Sequence, residues 1–487
     1  MVFSLSGTFF GLNTALRGLF AQQKAINTTA HNIANANTEG YTRQQVVMET
    51  TAPFPMPSLN KPGGAGQLGT GVDISQIARI RDAFLDYQLR NETASLGRFE
   101  KHWETLSQVE TIFMEPSETG LSTILDEFWA GWENLSNNAE NSAIRTTLKE
   151  LAKTVADTFN HLSSQLDTIQ SDINSIVDIK VREINTYAEQ IANLNKQIAS
   201  IQLAGDNPND LKDRRDLLLD ELSSLIDFSY TEQEDGTVTI NLNTVKEPMT
   251  LVKGYSFTTI DFDATTGKLS YDDNGTSVEI KVGNGQLKGL EEARSMVENY
   301  HTILDTFALN LANEINMLHK DGYGLDGSTN IEFFIIDPNK KGAAAGISLN
   351  SVIDDDVSKI AASSDDPTGA TKPETEGAVG NGDNALAIYQ LARKVFNSGD
   401  LAGTSLNNYY KNFIAELGVA ANTAKRNEEN QQVLVDQLTS RREATSGVST
   451  DEEMVNLIQY QRAYEAAAKI IGVYDEMLET IINDLKR

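Results

Sequence analysis

Five histidines, His31, His102, His161, His301 and His319, are the side chains of this sequence best suited to hold a transition metal or move a proton near neutral pH. They are scattered, and no HExxH or other paired metal spacing occurs, so each reads as a surface or core imidazole. Gly64, Gly66 and Gly69 spell GxGxxG, but a phosphate-cradling turn of that form needs a strand before it and a helix after it. Here the glycines fall in a Pro- and Gly-rich stretch, 53–71, that leads into VDISQI, and they read as loop. Residues 321–332 have the length of an EF-hand loop, yet Tyr323 and Leu325 stand where oxygen ligands are required and Asp326 replaces the turn glycine. Asp354, Asp355 and Asp356 read as a solvated charge run, and Arg214 and Arg215 beside Asp213 and Asp216 as a solvated ion-pair face. There is no cysteine, no Gly-x-Ser-x-Gly elbow and no P-loop. The 69 carboxylates do not single out an acid/base pair, whose separation has to be known in space. Nothing makes a positive case for catalysis, and no catalytic, metal or cofactor residue is assigned.

The elements that carry these residues are mostly helices. The last stretch, 450–485, opens on Thr450 with Glu453 three residues later, the pattern of a capping box, and places Asp451 and Glu452 at the positive end of the helix dipole. Met454, Leu457, Tyr464, Ile471, Leu478, Ile482 and Leu485 then follow a 3-4 spacing, with Ile458, Ile470, Tyr474, Met477 and Ile481 broadening the face. Its expected mate is a first helix over 13–35, where Leu12, Leu16, Leu19, Ile26 and Ile33 repeat with the same period. The rest of that first helix is Ala, Asn, Gln and Thr, too little apolar surface to fold alone, so fraying in the free monomer is expected.

Between the two ends the pattern predicts helices over 76–114 and 119–136, separated at Pro116, and a near-heptad run over 142–203 that would reach roughly 90 Å. A short charged helix follows from Asn209. At Asp227 the period changes to two, and TVTINLN, MTLVKGYSFTTIDFD, KLSYDD and SVEIKV read as strands separated by turns at Asp235-Gly236, Thr266-Gly267 and Asn274-Gly275. Helix resumes over 287–319, an irregular segment over 320–383 holds the apolar strand IEFFIID, and helices return at 384–396 and 407–442. The fold class is therefore mainly α with a β-rich insertion. Its nested units are the terminal helices (1–50 with 446–487) forming an axial coiled coil, a helical body (51–226, 287–320 and 384–445) and a β-rich and irregular outer unit (227–286 with 321–383).

A net charge of −29 and a pI near 4.5 argue against binding a phosphate backbone, so nucleic acid is not an expected partner. Residues 1–48 carry only Arg17, Lys24, Glu39 and Arg43, a surface poorly suited to facing water all round. No apolar run approaches the roughly 20 residues needed to cross a bilayer, and no basic n-region followed by an apolar h-region opens the chain. Secretion would need a route other than the general signal-peptide pathway.

Two chain ends that form one coiled pole suggest an assembling axial protein, and particular residues carry the resemblance. NIANANTEGYTRQ at 32–44 resembles a motif shared by bacterial flagellar rod, hook and hook-associated proteins, and LIQYQRAYEAAAKIIGVYDEMLETI at 457–481 resembles their common C-terminal helix. NDLKDRRDLLLDELS, the run GQLKGLEEARSMVENYHTILDTFALNLANEINMLHKDGYGLDG with the FF at 333–334, and SGVSTDEEMVNLIQYQ are similar to the hook-associated members at the hook–filament junction. The resemblance implies a non-enzymatic structural subunit, exported through the flagellar type III apparatus with a dedicated export chaperone. It implies self-assembly into a ring between hook protein and a second junction protein or filament-side subunits, in the extracellular flagellum, with no membrane insertion. A hook or distal-rod axial protein is the alternative within the family. A cell-wall hydrolase using acids of 320–383, or a cytosolic coiled-coil scaffold, are the alternatives from other classes.

Overall fold

The computed structural model describes residues 8–53, 69–113, 117, 120–244, 249–273, 275–367, 380–396, 399 and 401–484. Gly64, Gly66, Pro116, Asn274 and Leu485 lie outside them. The chain begins with α1 (Thr8–Ala34) and a hairpin of β1 (Gln44–Thr50) and β2 (Val72–Arg79), antiparallel with a bulge at Val47/Met48. The body then opens with α2 (Ala83–Phe113), α3 (Leu121–Asn137), α4 (Ser142–Leu203) and α5 (Asn209–Leu225). A four-stranded sheet follows, β3 (Phe228–Glu232), β4 (Val238–Leu242), β5 (Met249–Lys253) and β6 (Ser256–Phe257), each strand beside the next. A three-stranded sheet has the same meander order, β7 (Ile260–Asp263), β8 (Lys268–Asp273) and β9 (Thr276–Ile280). Gly236, Gly267 and Gly275 take positive φ at the turns expected from their sequence.

The second half comprises α6 (Gln286–Asp321), β10 (Phe334–Ile336), α7 (Ala343–Gly346), β11 (Ile347–Leu349), α8 (Ser351–Asp355), α9 (Asp383–Leu391), α10 (Leu406–Ser446) and α11 (Thr450–Asp484). Helix α4 is 62 residues long, roughly 90 Å, and is the spine on which the rest is laid. Its buried stripe, from Leu148 through Phe159, Ile173 and Ile191 to Ile198, holds near-heptad register, and one contiguous core runs along it. At one end Trp132, Phe128, Phe333, Phe334 and His319 form an aromatic knot between α3, α6 and the start of β10.

Asparagines dock strands onto helices. Asn195 of α4 accepts from Val238 N and donates to Val238 O, and Asn185 treats Ile260 the same way. Asn316 of α6 accepts from Phe333 N and Phe334 N and donates to Phe334 O. An amide side chain carries one acceptor and one donor group side by side, as a strand edge does, so each asparagine satisfies backbone groups that burial would otherwise orphan.

Two expectations need correction. Residues 76–79 are strand: Ile77 pairs with Val46, and helix α2 starts only after Asp82, whose Oδ1 accepts from Phe84 N and Leu85 N. Pairing across the chain overrode a helical spacing that SQIAR mimics. The stretches 227–286 and 321–383, grouped above as one outer unit, also dock at different places along α4. The sheets meet Asn185 and Asn195, whereas Ile347 O accepts from Asn160 and Ile360 O from Arg145. Apolar side chains such as Phe333, Phe334, Ile347 and Ile360 draw the irregular segment into the helical core.

His319 is fully buried and neutral, with Nδ1 donating to Ile331 O at 2.7 Å and Nε2 accepting from Ala361 N at 2.9 Å. Burial pushes its pKa down to about 4. The unfolded chain takes up this proton first, so the contribution is complete above pH 6.5 and declines as the pH falls toward 4. The decline amounts to about 3 kcal/mol. Urea unfolding between pH 7 and 4 should show this loss in the parent chain and a shallower one in His319→Asn.

Candidate assembly interface

Helices α1 and α11 lie antiparallel, because Asn32 meets Glu453 at one end and Gly11 lies against Tyr474 further along. A Cβ on Gly11 would meet the end of the Tyr474 side chain, which would have to move aside to keep this approach. Ala15, Ala21, Ala25, Thr28, Thr29 and Asn32 are the buried residues of α1, which packs on α11 along one face and on the β1–β2 hairpin along another. These buried side chains are small or polar.

The apolar stripe foreseen in the sequence is divided by this arrangement. Leu12, Leu19, Ile26 and Ile33 are half-buried, as are Leu457, Tyr464, Ile471 and Leu478, whereas Leu16, Met454 and Ile482 are exposed. Ile470, Val473, Met477 and Ile481 form a second stripe on α11 at 3-4-4 spacing, about half exposed, and Phe9, Leu16 and Phe20 stand out from α1. The pair is thus closed by small residues, with large apolar side chains left on its outside. Val473 was absent from the sequence reading, although its spacing from Ile470 and Met477 was a usable signal.

The expected capping box does not form. Ser449 Oγ accepts from Glu452 N, while the Glu453 carboxylate turns away from the helix start to accept from Asn32 Nδ2 at 2.9 Å and Arg43 Nε at 2.8 Å. Arg43 Nη1 also reaches Glu452, Arg43 N donates to Ser446 O, and Ile80 N donates to Arg43 O. Arg43 therefore fastens the loop after α1 to the hairpin and to both helices at the C-terminal joint. Tyr41 donates to Asn32 Oδ1, and burial together with Asp210, Asp213 and Glu453 pushes its phenol up, keeping it protonated.

This latch is anchored to the body through α5. Asp213 accepts from Thr42 N and Arg79, and Asp210 accepts from Gln44. Asp216 accepts from Arg79 and Arg81 at 2.7 Å each, with Arg90 at 3.7 Å. Asp220 takes Arg90 and Arg442 at 2.6 Å. Burial alone would raise the Asp216 pKa, but Arg81, Arg79 and Arg90 outweigh it and hold it below the ordinary carboxylate value. The reading of this segment as a solvated ion-pair face holds for exposed Arg214 and fails for Asp213, Arg215 and Asp216, which are buried. Arg215 donates to Asn195 Oδ1 and Gly236 O instead of facing water. The positions were visible in sequence, but their three arginine partners come from three separate segments.

The other polar candidates are engaged locally. His31 approaches Asp210 at 3.4 Å, His301 approaches Asp167 at 3.2 Å, and Asp354 pairs with Lys149 and Lys153. Within 321–332, Gly324 N donates to Ser328 O, and Asp326 accepts from Ser328 N and Lys359.

Removing Asp216 takes one acceptor from each of Arg79, Arg81 and Arg90, which keep Asp213, Asp86 and Asp220, at a cost of about 1–3 kcal/mol. Asp216→Ala should lower stability by that amount in urea unfolding. Arg214→Ala should change it by no more than about 0.5 kcal/mol.

Three family models match separate stretches of the chain. "Flagella basal body rod protein" matches residues 12–42, "Flagellar hook-associated protein FlgK helical domain" matches 106–334, and "Flagellar basal body rod FlgEFG protein C-terminal" matches 441–485. The flagellar hook-associated protein 1 of Bacillus subtilis is 36% identical over 516 aligned positions, covering 99% of both chains. That of Salmonella typhimurium is 27% identical over 97% of this chain and 99% of its own. The solved flagellar hook junction protein FlgK of Burkholderia pseudomallei superposes with a TM-score of 0.64 at 17% identity, over 74% of this chain and 100% of that one, a likeness of fold. With a relative this similar along almost its whole length, and with most of the paired terminal helices falling in the matched end regions, the chain belongs to the flagellar hook-associated protein 1 family.

Proposed function

We propose that this chain is a non-enzymatic structural subunit of the bacterial flagellum, forming the junction between hook and filament through its paired terminal helices. The observation that carries this reading is the exposed stripe Ile470, Val473, Met477 and Ile481 on a helix joined to the rest of the chain through Glu453 at its start. Burying each such side chain against a neighbouring subunit contributes about 1.5–3 kcal/mol, which favours association once copies are aligned. Phe9, Leu16 and Phe20 on α1 offer a second surface of the same kind. The proposed interface comprises Leu12, Leu16, Leu19, Ile26 and Ile33 on one helix and Met454, Leu457, Tyr464, Ile471, Leu478 and Ile482 on the other, together with Leu485 outside the described residues, with the half-exposed members shared between the pair and its neighbours.

The subunit self-assembles as a ring, with hook protein on one side and a second junction protein or filament-side subunits on the other. Export through the flagellar type III apparatus, with a dedicated chaperone covering the apolar terminal helix, suits a chain whose first 48 residues carry four formally charged side chains. The acidic body then faces solvent.

Val473→Glu with Met477→Glu should leave urea unfolding of the body unchanged and abolish incorporation at the hook tip, as should deletion of 450–487. The variant chain should appear in the medium, and normal filaments on such cells would refute the assignment. Labelled antibody should mark one band at the distal end of the hook; signal along the whole hook would indicate a hook protein instead. Amide hydrogen exchange of the free monomer should be faster in 8–34 and 450–484 than in α4, and equal protection would remove the proposed ordering on assembly.

A further inference from the structure

The seam between α1 and α11 contains a fully buried asparagine. Asn32 is 1% exposed, and its amide uses all its hydrogen-bonding capacity. Nδ2 donates to Gln44 O and Glu453 Oε2, both at 2.9 Å, while Oδ1 accepts from Gln44 N at 3.0 Å and Tyr41 Oη at 2.8 Å. We infer that Asn32 is the residue that sets the register of the α1–α11 pair, and so fixes where the outward stripe of α11 stands relative to the body. The inference builds on the proposed assembly through the terminal helices and specifies which contact aligns them.

The rest of the seam is poor at specifying register. Gly11, Ala15 and Thr29 are small, and a heptad shift would exchange one small side chain for another at little cost in packing. The half-buried residues recur with the same period: Leu12, Leu19, Ile26 and Ile33 every seven, and Leu457, Tyr464, Ile471 and Leu478 every seven. A slip by seven residues therefore re-creates an apolar contact of similar quality. Such a slip moves α11 by roughly 10 Å, and the packing of the seam does not by itself oppose it.

Asn32 does forbid it. After a slip, Glu453 leaves both Asn32 and Arg43: the buried carboxylate loses both partners, Asn32 Nδ2 loses one of its two acceptors while keeping Gln44 O, and the Arg43 guanidinium loses its buried acceptor. A buried polar contact such as Asn32 with Glu453, in a seam whose other buried side chains are small, is the kind of device that fixes alignment in coiled coils at some cost in stability. Alignment matters here because Ile470, Val473, Met477 and Ile481 must stand level with their counterparts on adjacent subunits for a closed ring.

The absence of cysteine makes a direct test possible on the soluble full-length chain, and oxidation traps the pair even where it opens transiently. In the observed antiparallel register Leu19 faces the neighbourhood of Ala467, and after a one-heptad slip it faces Tyr460. Leu19→Cys/Ala467→Cys should cross-link at least about tenfold more than Leu19→Cys/Tyr460→Cys in the parent background. In the Asn32→Leu background the ratio should fall toward one, with the helical circular dichroism retained. Asn32→Ala, which adds no bulk, should show the same fall. A parent-like ratio in either variant overturns the inference. So does loss of both products, which would make Asn32 a source of stability and not of register. Because the readout is the cross-linked monomer, it is independent of whether the chain is incorporated at the hook tip.

Discussion

The carboxylate of Asp216, held among Arg79, Arg81 and Arg90, is the interaction on which the joining of this molecule depends. Each arginine comes from a different stretch: the end of β2, the link to α2, and α2 itself. Asp213 and Asp220, one helical turn to either side, extend the set to the loop after α1 and to α10. Charges taken out of water are tolerated only while all their partners are present, since each unpaired member would cost several kcal/mol. The hairpin, the first body helix and the last body helix must therefore arrive together. A single short helix, α5, thereby gives the terminal pair one seat on the body.

Rigidity at that seat contrasts with economy in the pair itself. Gly11 against Tyr474, and alanines in place of leucines on the buried faces of α1, let the helices approach closely while burying little apolar area. The larger side chains point outward. So little buried apolar area suits the proposed role of the pair, in which it gains stability from neighbouring subunits. The long body helix needs no such help, because α4 is covered along its length by α2, α3, α6 and the two sheets.

Side-chain amides recur wherever one kind of element meets another. Asn185, Asn195 and Asn316 pair with strand backbone inside the body, and Asn32 pairs with the backbone of Gln44 at the joint. Each supplies a donor and an acceptor at a fixed spacing, so it locates one residue of a strand against one position of a helix. Apolar packing of similar strength would accept several positions. The amides determine where elements meet, and the surrounding leucines and isoleucines contribute most of the burial.

By itself the sequence determined the helical class, the near-heptad spine, the meander with its glycine turns and the likeness of both ends to flagellar axial proteins. These are local properties: period, turn residues and motif spelling are written in consecutive residues. A repeat of seven also placed Leu19, Ile26, Leu457 and Tyr464 each on one side of its helix, and all four are half-buried. Tertiary structure alone decided that Ala15, Ala25 and Asn32 close the seam, that Glu453 serves Arg43 in place of a helix cap, and that Asp216 is buried among arginines. In each case the partner lies more than a hundred residues away or on another element. A carboxylate next to an arginine in sequence reads the same whether water or protein surrounds it, and only the packed chain supplies the difference in dielectric that gives it its role.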